Sequence, residues 1–323
     1  MPDLIRQASS AAEAGPESVG PFGPDDDALH EPSGDFYETE TFWYSFFVPE
    51  RSIGAWLYAS VRQNAGVTGG GMWLWDATAT DPWEIPFYEQ FSMLRLPHDR
   101  GPDRLLFPTG MSIVRTDPLY GYDLTYADRD RMHVELQFQA VEAPVPLLSG
   151  APPYPKAHHF DQTGHVAGRF VLDGSAVEVD CYAMRDRSWG PRAERGYHRV
   201  GYTWGADEAV SFLTYSSPTA ESDEVHTGYV RRDGVTGRIE SGRRVVARDP
   251  AEGWVTGIEL DVTDSSGRRH RAAAEASSRM ILPGATNICI NTSLRWDVDG
   301  RVLHGEDQDV WPIKEWRASR PSR

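Results

Sequence analysis

The chain has 323 residues, 40% apolar and 11% aromatic, a composition that builds packed cores rather than a disordered polymer. Its 48 acidic residues outnumber 32 basic ones, and the net charge of −16 repels a nucleic-acid backbone and an anionic membrane surface alike. Lys156 and Lys314 are the only lysines, so Schiff-base chemistry has just two positions to draw on.

Residues 1–35 are rich in Ala, Glu, Pro, Gly and Asp without periodicity and read as a mobile arm. Folded sequence is expected from Phe36. Strand-length apolar or alternating runs follow at Glu38–Val48, Ile53–Val61, Gly71–Asp76, Arg104–Phe107, Ser112–Arg115, Tyr120–Ala127 and Met132–Val141, separated by Pro, Gly, Asn and Asp clusters. Gly69-Gly70-Gly71 lacks the Lys-Ser or Lys-Thr of a phosphate loop and reads as a hairpin turn. Trp83–Met93, which includes Glu84, Tyr88 and Glu89, and Ile313–Ala318 are the best helix candidates.

A Pro-rich break at Ala143–Pro155 precedes a second series. Gly164–Leu172 and Ala176–Met184 flank the hairpin signal Asp173-Gly174-Ser175. Then come Tyr197–Trp204, Ala209–Tyr215, His226–Arg232, Ile239–Ala247, Trp254–Thr263, Arg269–Ala276, Asn287–Trp296 and Val302–Trp311. About eight to ten strands of this length fit one antiparallel barrel or a strongly bent sandwich. The expected class is all-β with few short helices. Its divisions are an arm over 1–35, one β domain over 36–155 and a second over 156–323.

Cys181 and Cys289 lie in apolar runs and read as small core residues rather than a disulfide framework or metal ligands. His158, His159 and Asp161, with His165 nearby, form the densest His and carboxylate cluster. Adjacent histidines on a strand point to opposite faces, so they do not share a metal without a bulge, and no metal or other cofactor is expected. His159 fits better as a proton relay, and His198, beside Tyr197, is a similar candidate. No Gly-x-Ser-x-Gly elbow is present.

The densest chemistry is Met184-Arg185-Asp186-Arg187-Ser188-Trp189-Gly190-Pro191-Arg192. Arginines push Asp186 toward its ionised form and burial pushes it toward the neutral acid. The plain structural account makes Trp189 a core plug, Gly190-Pro191 a turn, and Asp186 with Arg192 an ion pair. With His159–Gly168 and the strand Ala176–Tyr182, this run resembles the second domain of the AttH-like family, related to bacterial carotenoid hydratases and lipocalin-like pericyclases, whose signature is Asp-(His or Arg)-(Ser or Asn)-Trp-Gly. Gly305–Pro312 resembles the closing strand of that domain. The resemblance covers most of residues 155–317, is loose over the N-terminal half, and implies two tandem lipocalin-like barrel or sandwich domains. Arg187 departs from the relatives, many of which have His there.

The reading that follows is a lyase needing no cofactor, acting on a small hydrophobic isoprenoid or terpenoid substrate in a cavity at the junction of the two domains. Asp186 protonates an alkene, Trp189, Trp204 and Tyr197 face the cation, and water held by His159 adds. The reverse dehydrates a tertiary alcohol. An arginine aimed at Asp186 would count against this, leaving His159 or Glu89 as the acid. His198, Arg192 and Tyr88 complete the expected substrate contacts. The alternatives are an intramolecular cyclase, a carrier of apolar ligands, and a carbohydrate-binding sandwich. Neither a leader nor a membrane-spanning run is evident, so a cytoplasmic monomer or homodimer without nucleic-acid partners is expected.

Overall fold

The computed structural model describes residues 22–97, 101, 103–147, 158–192, 198–218, 222–284 and 286–319. These form two compact units. One takes the described residues of Met1–Val48, Ala55–Leu74 and Phe87–Ala193, and the other those of Pro49–Gly54, Trp75–Pro86 and Glu194–Arg323.

The first unit is built on β1 (Glu40–Val48), β2 (Ile53–Arg62), β3 (Val67–Trp75), β4 (Phe87–Arg95), β5 (Arg104–Leu106), β6 (Met111–Asp117), β7 (Gly121–Ala127), β8 (Met132–Ala140), β9 (Val145–Leu147), β10 (His158–Leu172) and β11 (Ser175–Trp189). They form one curled sheet in the order β4-β3-β2-β1-β11-β10-β8-β7-β6-β5, with β9 added beside β10. Strand β8 shows why: Met132, Val134, Leu136 and Phe138 are buried and the residues between them exposed, the period of two that fixes one face inward. That apolar face continues through Tyr122 and Leu124 on β7 and Phe42, Tyr44 and Phe46 on β1.

Strands β10 and β11 run longer than their apolar stretches suggest. They pair from Leu172↔Ser175 to His158↔Trp189, and β11 also pairs with β1 through Thr41↔Ser188 and Trp43↔Asp186. The Asp-Arg-Ser-Trp run therefore closes β11, with Asp186, Arg187 and Ser188 paired to a strand on each side. It also groups with β1, so the units do not divide at the expected 155/156 boundary. The Pro-rich break separates strands of one sheet, since β8 before it pairs with β10 after it.

Folded chain begins before Phe36. A 3-10 turn at Pro24–Asp27 places Asp27 in the core of the first unit, ion-paired at 3.0 Å to buried Arg185 and accepting the Tyr122 hydroxyl. A single acidic run conceals this residue, because Asp25 beside it is exposed and Asp26 half-buried. The Gly69–Gly71 run is not a turn either. It lies within β3, with φ at +114° for Gly70 and +157° for Gly71, where the β3–β4 register shifts. A side chain at Gly70 would collide with the Tyr58 carbonyl, so glycine makes a bulge inside the sheet. Trp83 lies in an exposed loop, and Phe87–Met93 is part of β4 instead of a helix.

The second unit is a closed barrel of eight strands: β12 (Val200–Ala206), β13 (Val210–Pro218), β14 (Asp223–Arg232), β15 (Val235–Arg248), β16 (Val255–Asp264), β17 (Arg269–Pro283), β18 (Asn287–Val298) and β19 (Arg301–Pro312), followed by helix α1 (Ile313–Ser319) at the expected place. The fold is all-β with few short helices. Phe212, Leu260, Leu294, Trp296 and Leu303 fill the barrel core. Arg244, fully buried, pairs with Asp307 and Asp223, and Asp307 also accepts the Thr203 hydroxyl. Burial raises the Asp307 pKa, with Arg244 opposing, whereas Arg199 and Arg248 outweigh burial at Asp309 and lower it. Cys181 and Cys289 are buried and form no disulfide.

Asp27 is the strongest single test of the N-terminal packing. Replacing it by Ala leaves Arg185 as a buried charge without its partner and is expected to cost about 3–5 kcal/mol in urea unfolding. Asp25→Ala, at an exposed position, is expected to stay within about 0.5 kcal/mol of the parent.

Candidate active site

The site follows from the pleat of β11. Successive side chains alternate between faces, so Arg185 and Arg187 go to the apolar face while Asp186 and Ser188 go to the opposite one. On the apolar face each arginine is neutralised. Arg185 pairs with Asp27, donates to Gln162 at 2.7 Å, and lies 4.2 Å over the Tyr122 ring. Arg187 pairs with Glu40, donates to the carbonyls of Ala28 at 2.6 Å and Ser188 at 2.8 Å, and lies 4.1 Å over Phe42. Burial alone raises the Asp27 and Glu40 carboxyls, but Arg185 at Asp27, and His30 with Arg187 at Glu40, reverse the shift and hold both low.

Asp186 shares the opposite face with His159, Asp161, Ser188, Thr41 and Trp43. Asp161 and Trp43 are its neighbours on β10 and β1, and His159 is opposite Ser188. His159 Nε2 lies 3.0 Å from Asp161 Oδ1, with both side chains buried. A ligating atom from each of His159, Asp161 and Asp186 lies within 4.8 Å of the others. Thr41 and Ser188 hydroxyls pair at 2.5 Å beside them. Asp186 is half-buried as a residue, yet its Oδ1 is fully buried without a hydrogen-bond partner among the described residues.

These surroundings set the proton positions. Burial is the largest effect on Asp186, Asp161 adds negative charge, and together they outweigh His159, Arg192 and Arg187 and push the carboxyl up to about 7. Burial lowers the His159 imidazole, but Asp161 and Asp186 outweigh it against Arg192 and the net shift is upward. The pair thus holds protons near neutral pH and can exchange one across a short distance. The three residues also have the donor types to hold a divalent cation, with the positive charge of Arg192 opposing one. The 3.0 Å His159–Asp161 separation is explained by a hydrogen bond.

A row of aromatic rings continues from Asp186 on the same face. Trp43 stands 5.6 Å from Trp56, Trp56 6.3 Å from Trp73, and Trp73 6.2 Å from Tyr88, ring centre to ring centre. Tyr88 is thus the far end of a row spanning β1 to β4. The signal the sequence carries for this row is the shared strand parity of its tryptophans.

Other expected site residues fall elsewhere. Trp189 is on the apolar face, stacked between His30 at 4.6 Å and His158 at 5.3 Å and packed against Phe160, so it is a core plug and does not face Asp186. Arg187, on the same face, does not clamp Asp186. Glu89 accepts the Tyr126 hydroxyl on β7 and is not in the Asp186 cluster. Arg192 contributes positive charge to the cluster, and its backbone N–H donates to Tyr37 at 2.8 Å. His165 pairs with Asp180 at the surface. In the second unit Trp204 is buried on β12, and the His198 side chain, 90% exposed, approaches Glu315 at 4.0 Å. Tyr197 and Lys156 lie outside the described residues.

A curled sheet and a closed barrel of this kind define an AttH-like, lipocalin-like fold. Similar solved structures include a protein provisionally assigned as AttH from Nitrosomonas europaea, with 12% identity, a TM-score of 0.62, and coverage of 91% of this chain and 98% of that one. Kievitone hydratase from Nectria haematococca is similar at 10% identity and TM-score 0.55, covering 93% and 95%. CghA with Sch210972 is similar at 12% identity and TM-score 0.53, covering 92% and 96%. At these identities the likeness is one of fold. No curated protein matches the sequence. The model of a domain-of-unknown-function family, DUF7064, matches residues 23–306, and the chain belongs to that family.

The raised Asp186 pKa has a consequence for stability. Between about 4, where an unfolded aspartate titrates, and about 7, the folded chain keeps a proton that the unfolded chain has released. The Asp186 contribution is therefore complete below about pH 4 and is lost as pH rises to about 7. Asp186→Asn is expected to remove that decline and to be more stable than the parent at pH 8 by on the order of 2 kcal/mol, read by urea unfolding across pH.

Proposed function

We propose that the chain is a lyase that hydrates an alkene, or dehydrates the corresponding tertiary alcohol, on an uncharged hydrophobic substrate of the isoprenoid or terpenoid class. The observation that carries this reading is the half-buried Asp186 carboxyl, protonated up to near neutral pH, beside the His159–Asp161 pair. One similar structure is named as a hydratase, which supports the reaction class without specifying a substrate.

In the forward direction the Asp186 proton goes to one alkene carbon and the π electrons form the new C–H bond. Water adds its oxygen to the cationic carbon and loses a proton to His159, and His159 returns one to Asp186. Protons and electrons balance with water as the sole co-reactant. Asp161 positions the imidazole and favours its charged form, so it holds the ring ready for the return step. Trp43, nearest of the aromatic row to Asp186, stabilises a passing cation through its π face without adding to it.

The test is incubation of the parent and Asp186→Asn with a panel of terpenoid alkenes in heavy-oxygen water, followed by product mass. Solvent oxygen in the product is expected with the parent and a loss of about 10²–10⁴ in rate with the variant. Forward activity is expected to fall as pH rises through about 7, because Asp186 then loses the proton it donates. A product of unchanged mass, formed equally by Asp186→Asn, would replace this reading with a cyclase. Asp161→Asn is expected to lower the rate about 10-fold or more while leaving KM nearly unchanged.

A further inference from the structure

The second unit carries a buried polar cluster that the Asp186 chemistry does not use. On one face of β12, β19, β18 and β17, Trp204, Glu306, Ser293 and Ser278 follow one another as cross-strand neighbours, with Gln308 and Asn291 paired in the next row. Glu306 accepts Asn291 Nδ2 and Gln308 Nε2, each at 3.0 Å. Three side chains in this patch have a buried polar atom without a hydrogen-bond partner among the described residues: Trp204 Nε1, Asn291 Oδ1 and Ser278 Oγ. Their residues are 1%, 0% and 4% exposed.

Each such atom costs about 1–3 kcal/mol when left unmatched, and Trp204 Nε1 and Asn291 Oδ1, two strands apart on one face, call for a partner. The indole N–H can only donate and Asn291 Oδ1 can only accept, so the partner both accepts and donates. A hydroxyl group does both. An anion is repelled by Glu306 and a cation gives the Trp204 N–H nothing to bind. Gln308, at the edge of the cluster, is half-buried and marks the side open to a ligand.

We infer that this cluster is a binding site for the hydroxyl group of an uncharged organic ligand. Trp204 Nε1–H donates to the ligand oxygen, and the ligand O–H donates to Asn291 Oδ1, whose orientation is set by the Nδ2 bond to Glu306. Ser278 Oγ offers a further contact. The site stands independently of Asp186, so its failure would leave the acid chemistry untouched.

The test is nitrogen-15 NMR of the full chain, with the Trp204 indole N–H assigned by its disappearance in Trp204→Phe. Cyclohexanol is the probe and its methyl ether, which accepts but cannot donate, the control. A saturable shift of the Trp204 signal is expected with cyclohexanol, at least ten-fold weaker binding with the ether, and at least ten-fold weaker cyclohexanol binding in Asn291→Ala. The absence of a saturable shift, as for a cluster that holds water only, would overturn the inference. Equal binding of alcohol and ether would also do so, and that comparison uses the unmodified chain.

Discussion

The alternation of β11 is the constraint on which the first unit depends. Two arginines and an aspartate lie in three consecutive positions, and on a single face the two cations would hold the aspartate in its ionised form. The pleat separates them. Arg185 and Arg187 meet Asp27 and Glu40 on the apolar face, where each cation has a short ion pair, a second acceptor and an aromatic ring beneath it. Asp186 on the other face is left with a neighbouring carboxylate, a buried oxygen and an imidazole. A carboxyl in those surroundings keeps its proton, and a carboxyl that keeps its proton at neutral pH can act as an acid.

That separation draws on segments far from the motif in sequence. Asp27 comes from the N-terminal turn, and Glu40 from the edge of β1, where His30 also reaches it. Without them the arginines would be buried unpaired, a larger penalty than the pairs return when formed. The barrel of the second unit solves a similar problem with Arg244, which spans Asp223 on β14 and Asp307 on β19. In both units the buried guanidinium binds strands together, and in the first unit aromatic rings close around it.

Much of this was legible in the sequence. The eight barrel strands follow from period-two runs and turns such as Asp233-Gly234 and Asp299-Gly300, and α1 from the short segment after Pro312. His158 and His159 separate onto opposite faces as adjacent strand residues must: His158 stacks on Trp189 while His159 joins Asp186. What escaped was tertiary. With β11 ended at Met184, the parity that sends Arg187 away from Asp186 could not be applied. Asp27 is one carboxylate among several in an aperiodic stretch, and nothing local marks it as the partner of a residue about 160 positions away. The Gly69–Gly71 run has the composition of a turn, and only the neighbouring carbonyls of Tyr58 and Glu89 show that it is a bulge. Phe87–Met93 carries helix-compatible spacing, but β3 offers its edge and the ladder prevails.

The most direct measurement is a carbon-13 NMR titration of the aspartate carboxyls, with the Asp186 signal assigned by its loss in Asp186→Asn. The account predicts a titration midpoint close to 7, with the carboxyl still protonated at pH 6. A midpoint near 4, the value of an ordinary exposed aspartate, would contradict it, because Asp186 would then carry no proton to donate at neutral pH.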